Sequence, residues 1–244
     1  MLPSPALAAD IASRADEVRN RIEASCRRAG RDPGDVRLIA VSKTFSIEVV
    51  EAGIEAGLTD FGENRVQELE EKTETVRGEY GGGAIRWHLI GSLQRNKAKT
   101  AVEVADTFHA LDSDRLAREL DKRAARVDRV LPCFVQVNVS GEDSKSGQAP
   151  GDLHAFLDRL SDCEHLKIVG LMTLAAPAAD EDELETVVRP QFRLLRELAA
   201  SYDAEGNDRV DLSRLSMGMS GDYEIAIEEG ATDVRIGSAI FGTR

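Results

Sequence analysis

The chain has 244 residues, of which 42% are hydrophobic and 31% charged, and its formal net charge is −13. These values are typical of a water-soluble globular protein, and the acidic balance argues against a general binder of nucleic acid or of anionic membranes. Three widely separated cysteines argue against a disulfide framework, and no apolar run has the length of a membrane span or the character of a signal peptide. We therefore expect a cytoplasmic location.

Short apolar segments alternate along the chain with segments of helical periodicity. Ile47, Val50 and Ile54, for example, recur at the three- to four-residue spacing of an amphipathic helix. Repeated strand–helix units of this kind predict parallel strands joined by crossover helices. The predicted strands are 36–43, 59–64, 86–92, 107–112, 132–139, 166–174, 213–219 and 232–237.

Eight such strands in a chain of this length predict an α/β fold, a single-domain (β/α)8 TIM barrel that spans residues 1–244. Few residues follow the eighth strand, so the last outer helix is expected to be missing. The N-terminal segment carries Ile11, Ala15, Val18 and Ile22 on one helical face and is predicted to replace it. An open, doubly wound sheet is the alternative fold.

Lys43 ends the first predicted strand, in the stretch RLIAVSKTFS, and is one of only seven lysines in the chain. Functional groups of a barrel lie at the C-terminal ends of its strands, so this amine is expected at the rim of that face. Apolar surroundings favour the uncharged, nucleophilic form of an amine. The alternative is a lysine that extends from the strand end into solvent.

Small residues predominate after the seventh and eighth predicted strands, where barrels of this kind commonly bind phosphate. Small side chains let backbone N–H groups approach an anion, and a helix predicted to begin near Asp222 would add partial positive charge. Strand eight neighbours strand one in a closed barrel, so Lys43 would lie beside this site. An amine next to a phosphate site suggests a phosphorylated aldehyde held as a Schiff base, either pyridoxal phosphate or the sugar phosphate of an aldolase.

Seven motifs extend this interpretation over nearly the whole chain: AVSKT, FGENRVQE, WHLIGSLQRNK, VNVSGEDSKSG, GLMTLA, SMGMSGD and VRIGSAIFG. In this order they resemble the pyridoxal phosphate homeostasis proteins, a family with the fold of the alanine racemase N-terminal barrel. The resemblance implies that Lys43 carries pyridoxal phosphate as a Schiff base and that Arg235 faces the pyridine nitrogen. The other residues that it places around the cofactor are Asn64, His88, Met172, Ser216, Met217, Gly218, Met219, Ser220, Gly237 and Ser238.

Arg235 has a chemical consequence for such a site. A guanidinium only donates hydrogen bonds, so the pyridine nitrogen that it faces would stay unprotonated and the ring would be a weak electron sink. Alanine racemase also has a second domain, whose partner subunit supplies a catalytic tyrosine, and this chain is expected to lack that domain. None of Tyr80, Tyr202 and Tyr223 is obviously placed as an acid or base.

The chain departs from the family pattern at two positions. Arg65 stands where the motif has an aromatic residue, and Ser92 stands where it has histidine. Lys145, in a polar loop, is predicted either to help hold an anion or partner or to be solvated. The acidic runs ELEEKTE and DEDELE are predicted to be solvated helix faces. The four histidines lack metal-ligand spacing, so no metal site is predicted.

Three functional hypotheses follow from these observations. The first is a monomeric carrier that holds pyridoxal phosphate on Lys43, maintains intracellular vitamin B6 balance and passes the cofactor to apo-enzymes, with little or no turnover. The second is a pyridoxal phosphate-dependent amino acid racemase or lyase of unknown substrate. The third is a cofactor-free Schiff-base aldolase.

Overall fold

Eight parallel strands form a closed barrel in the computed structural model, which describes residues 3–81, 83, 85–142, 146–203 and 207–243. The strands follow one another around the barrel in chain order, and the last strand pairs with the first to close it. The (β/α)8 prediction is confirmed, and the open-sheet alternative is wrong. The strands are β1 Arg37–Val41, β2 Asp60–Glu63, β3 Arg86–Leu89, β4 Thr107–Leu111, β5 Leu131–Gln136, β6 Leu166–Met172, β7 Val210–Ser216 and β8 Asp233–Ile236.

Helices cover the outside of the barrel, and seven of the strand-to-strand connections are helical. A π-helical turn, Leu184–Val188, joins the helices Glu181–Glu183 and Arg189–Ser201. The helices are α1 Pro5–Ala29, α2 Ile47–Glu55, α3 Val66–Tyr80, α4 Ala98–Val104, α5 Asp114–Ala125, α6 Leu153–Arg159, α7 Glu181–Glu183, α8 Arg189–Ser201, α9 Tyr223–Glu228 and α10 Ser238–Phe241. No helix in the described part of the chain is long and apolar enough to cross a bilayer.

Helix α1 occupies the place of the last outer helix, as predicted, and packs against α9, α2 and α10. Its buried stripe includes Ile11, Ala15, Val18 and Ile22, the residues that the periodicity places on one face. The helix ends at Gly30, whose left-handed backbone (φ 66°) is readily adopted by glycine. Burial of this stripe is what attaches the helix to the barrel.

The barrel interior contains a polar column, defined here as Asp60, His88, His109, Ser216 and Arg235. These five side chains come from β2, β3, β4, β7 and β8, and each residue is at most 3% exposed. Layers of Val, Ile and Leu fill most barrels of this type. Buried polar groups are tolerated only when they are hydrogen-bonded, so the column is expected to be a connected network.

The predicted strands are too long at their C-terminal ends, since Lys43 lies two residues beyond β1 and Asn64 one residue beyond β2. One predicted solvated face is also wrong. In the run ELEEKTE, Lys72 is 6% exposed and Thr73 is fully buried. Helix α3 places both of them on the side of Leu69 and Val76, which faces the core. Lys145 lies outside the described residues.

Candidate functional site

A cavity of about 760 Å³ opens at the C-terminal face of the barrel. This volume lies within the range of small-molecule sites, about 300–1,000 Å³. Asn64 comes from the end of β2. Ser92, which stands where the family pattern has histidine, is also on the wall. The predicted site residues that line the cavity are Lys43, Asn64, Met219, Ser220, Arg235, Gly237 and Ser238.

The other predicted residues lie behind the cavity wall. Met172 and Met217 are fully buried, and Ser216 belongs to the polar column. His88 is also fully buried, below the cavity, and does not line it. Gly218 shapes the loop after β7, because its φ is 94° and a Cβ there would lie 2.7 Å from the Cβ of Ala226. Arg65 is exposed and is not on the cavity wall.

A buried ionic cluster holds the backbone on both sides of Lys43. We call it the Lys72 clamp; it consists of Ser42, Glu63, Glu68 and Lys72. The Lys72 ammonium donates to the Ser42 carbonyl at 2.9 Å, to Glu63 Oε1 at 2.7 Å and to Glu68 Oε1 at 2.9 Å. The Ser42 hydroxyl also donates to Glu63 Oε1, at 2.6 Å.

The Lys72 clamp supports an unusual backbone turn after Lys43. Thr44 has a φ of 65°, a left-handed conformation that costs a residue with a Cβ about 1–2 kcal/mol. Its N–H donates to Glu68 Oε1, which also accepts from Lys72. The clamp therefore fixes the residues before and after Lys43 and positions this side chain at the cavity.

The environment of the Lys72 clamp disfavours the charged form of Glu63. Burial raises the pKa of this carboxyl, although the Lys72 ammonium and two hydrogen bonds act in the opposite direction. Its second oxygen, Oε2, is buried and has no hydrogen-bond partner among the residues that the structure describes. A buried carboxylate of this kind depends on its one cation, so loss of Lys72 would leave a charge without compensation.

The loops after β7 and β8 meet at the wall of the cavity. Ser220 Oγ accepts from the N–H of Gly237 at 3.3 Å and from the N–H of Ala239 at 3.4 Å, which joins the two loops. Within the described residues, the N–H groups of Ser220, Gly221 and Ser238 have no acceptor. Clustered backbone donors of this kind bind anions, and they fit a phosphate group.

Arg235 links this cavity to the barrel interior. Its Nη1 donates to Ser216 Oγ at 2.7 Å and its Nη2 to the Thr173 carbonyl at 2.8 Å. Burial lowers the pKa of Arg235 to about 10, so the guanidinium is still charged at neutral pH. A buried cation held by a hydroxyl and a carbonyl keeps its charge available to a group bound in the cavity.

The polar column continues from Ser216 to the opposite end of the barrel. Ser216 Oγ lies 2.9 Å from His109 Nδ1, His109 Nε2 lies 3.0 Å from His88 Nδ1, and His88 Nε2 lies 3.0 Å from Asp60 Oδ1. Burial lowers the pKa of His109, so this ring is neutral. Although burial opposes it, hydrogen bonds from His88 and Arg86 hold the pKa of Asp60 below its usual range.

These protonation states give the column one direction. Asp60 only accepts, so His88 Nε2 carries a proton. Arg235 donates to Ser216, and the Ser216 hydroxyl then donates to His109 Nδ1, which leaves His109 Nε2 to donate to His88. Each donor in the column therefore has an acceptor. Asp60 is the last acceptor of the hydrogen-bond series that orients Arg235.

Replacing His109 with phenylalanine is expected to destabilise the protein by about 2–4 kcal/mol, since the buried partners Ser216 and His88 each lose a hydrogen bond. The free energy of unfolding measured with urea checks this value. His154→Phe is the control, because His154 is exposed and its replacement should change stability by less than about 0.5 kcal/mol. A His109→Phe loss as small as that of the control would contradict the network.

Comparison with known proteins assigns the chain first to a class. The family model for the alanine racemase N-terminal domain matches residues 14–244, and the closed barrel has the corresponding fold. Within this class, the chain belongs to the family of pyridoxal phosphate homeostasis proteins. The family member from Aquifex aeolicus is 41% identical over 231 residues, which cover 95% of this chain and 97% of that protein.

Solved structures of similar sequence have the same fold. A protein of unknown function from Bifidobacterium adolescentis is 38% identical, with a TM-score of 0.90 and coverage of 98% of both chains. PipY from Synechococcus elongatus PCC7942 was solved with pyridoxal phosphate bound. It is 35% identical, with a TM-score of 0.80 and coverage of 95% of this chain and 100% of that one.

Proposed function

We propose that this protein binds pyridoxal 5'-phosphate at the C-terminal face of the barrel, as a Schiff base with Lys43. The observation that carries the proposal is that Lys43, Arg235 and the loops after β7 and β8 line one cavity. Pyridoxal phosphate supplies an aldehyde, a phosphate and a pyridine ring, and each has a matching group on this wall. PipY, a structural relative, was solved with the same cofactor bound.

The residues around the cavity suit the individual parts of the cofactor. The free N–H groups of Ser220, Gly221 and Ser238 would hold the phosphate. Arg235 would donate to the pyridine nitrogen, and Asn64 would lie beside the ring. The Lys72 clamp would keep the Lys43 amine at the cavity, where it would react with the aldehyde.

We further propose that the protein stores and delivers the cofactor with little catalytic turnover. Arg235 remains protonated at neutral pH, so it can only donate and leaves the ring nitrogen unprotonated. A ring in this state stabilises a carbanion poorly. The proposed recipients of the cofactor are apo-enzymes that use pyridoxal phosphate. We also propose that the protein functions as a monomer. The free cysteines are consistent with the cytoplasm.

The second candidate is a pyridoxal phosphate-dependent amino acid racemase or lyase. It is favoured by the fold, which this chain shares with the N-terminal domain of alanine racemase. The carrier and the enzyme differ in one measurable property, namely steady turnover of an amino acid.

The test begins with the purified chain and added pyridoxal phosphate. We expect a visible absorption band that borohydride removes, and a reduced cofactor that peptide mapping assigns to Lys43. Incubation with a panel of amino acids should then give no steady formation of racemised or decarboxylated product. A label on another lysine would overturn the assignment of Lys43, and sustained product formation would establish the enzyme. Failure to take up the cofactor would favour the cofactor-free Schiff-base aldolase.

A further inference from the structure

A second cavity, of about 730 Å³, lies at the N-terminal end of the barrel, where β1, β2, β3 and β8 begin. Its wall is rich in positive charge, which is unusual because the chain as a whole has a net charge of −13. The guanidinium groups on its wall belong to Arg19, Arg31, Arg37, Arg86 and Arg214.

Fewer carboxylates than guanidinium groups line this N-terminal cavity. The acidic residues on its wall are Asp35, Asp60 and Asp233, so the wall has two more positive than negative charges. Asp60 accepts from Arg86 through Nε and Nη2, both at 2.8 Å, and also from His88. Arg214 donates to both oxygens of Asp233. These two carboxylates are therefore already occupied by other donors.

Arg37 lies between the two occupied carboxylates. Its Nε is 3.4 Å from Asp60 and its Nη1 is 3.6 Å from Asp233, and neither contact is a hydrogen bond. The Arg37 side chain is 31% exposed, so part of it is open to the cavity. Burial, and after it the charge of Arg214, lowers the pKa of Arg37. A guanidinium in this position would be stabilised by an additional anion.

Arg31 adds a second cation whose charge is not used by a carboxylate. Its Nη1 donates to the carbonyls of Ile227 at 2.7 Å and of Ala231 at 2.8 Å. These two bonds fix the guanidinium on the cavity wall, and within the described residues it forms no ion pair. Pre-positioned arginines bind phosphate well, because the planar guanidinium presents parallel N–H donors to two oxygens.

We propose that the N-terminal cavity binds a small phosphate-bearing metabolite, with Arg37 and Arg31 as its main ligands. The site is separate from the proposed pyridoxal phosphate site, since the two cavities share no described lining residue and lie at opposite ends of the barrel. Its existence does not depend on the proposed function. The competing explanation is that the arginines only close the base of the barrel through ion pairs.

The test is a titration of the ¹⁵N-labelled full chain with pyrophosphate at constant ionic strength, followed by NMR. We expect saturable shifts in the amides of residues 34–37, 57–60 and 231–233, and a thermal stabilisation that chloride does not reproduce. Binding at the proposed phosphate loops would instead shift residues 218–221 and 237–239. Shifts confined to those loops, or shifts that do not saturate, would overturn the proposal.

Matched variants identify the ligands. Arg37→Gln should weaken pyrophosphate binding at the N-terminal cavity at least about tenfold, which corresponds to about 1.4 kcal/mol. Arg37→Lys, which keeps the charge without the paired donors, should weaken it less and serves if the first variant fails to fold. Arg123→Gln is the control, because Arg123 pairs with Glu119 on α5, away from the cavity. Equal affinity in Arg37→Gln and the control would reject the site.

Discussion

Replacing Lys43 with alanine is expected to abolish covalent attachment of pyridoxal phosphate, because no other lysine lines the cavity within the described residues. Borohydride reduction followed by intact mass measurement should give one cofactor per wild-type chain and none per variant chain. The phosphate loops are intact in the variant, so weak noncovalent binding is expected to remain. Stability should change by less than about 1 kcal/mol, since Lys43 is only half-buried.

The control for this experiment is Lys122→Ala on α5, which removes one exposed amine and leaves the cavity unchanged. It should retain full attachment. Undiminished attachment in Lys43→Ala, or loss of attachment in Lys122→Ala, would show that another amine reacts with the aldehyde. The proposed anion site at the N-terminal end would be unaffected by either result.

Lys72→Met is expected to destabilise the protein by about 3–5 kcal/mol, because it leaves Glu63 buried without its counter-charge. Urea unfolding measures the loss. Lys99→Met is the matched control, because Lys99 is exposed and its pair with Glu103 is 3.8 Å long; it should cost less than about 0.5 kcal/mol. Lys72→Met is also expected to slow the covalent binding of pyridoxal phosphate, because the backbone around Lys43 loses the hydrogen bonds of the Lys72 clamp.

The loss of stability that Lys72→Met causes should depend on pH, and we call this loss the deficit. Burial already raises the pKa of Glu63 in the wild type, and removal of the ammonium raises it further. A carboxyl whose pKa is higher in the folded than in the unfolded state gives a stability contribution that is lost as pH rises through the folded value. The deficit should therefore be larger at pH 8 than at pH 5. The double variant Glu63→Gln/Lys72→Met should recover part of it, and a deficit that neither pH nor Glu63→Gln changes would contradict the coupling.

The barrel was predictable from the sequence because its signal is repeated. Apolar strands alternate with amphipathic helices along the chain, and α1 shows the same stripe in one clear period. The bounds of β7 were not predictable in the same way. Its first half, which contains Asp211 and Ser213, alternates buried and exposed positions and lacks an apolar run. The predicted strand therefore begins three residues late, at position 213.

The part of the site near Lys43 was predictable, and the part below it was not. A lysine at a strand end and two loops of small residues are local patterns, and the structure brings them to one cavity. The role of Lys72 depends on Glu63 and Ser42, which are distant in sequence. A signal for Lys72 was nevertheless present, since it lies three residues after Leu69 and four before Val76, on the core side of α3. His88 was predicted beside the ring from the family resemblance. Its interior partner His109 comes from another strand, so no local pattern indicated their contact.

The polar column also bears on how the interior of this protein can change over evolution. An aliphatic core can accept one altered methyl group at a time, with modest cost at each step. Here a substitution at one position leaves the neighbouring side chains without a hydrogen-bond partner, so the effects of single changes on stability are strongly coupled. We expect related barrels to keep these five residues together or to replace several of them at once. Redesign of the interior would likewise need to exchange them as a set.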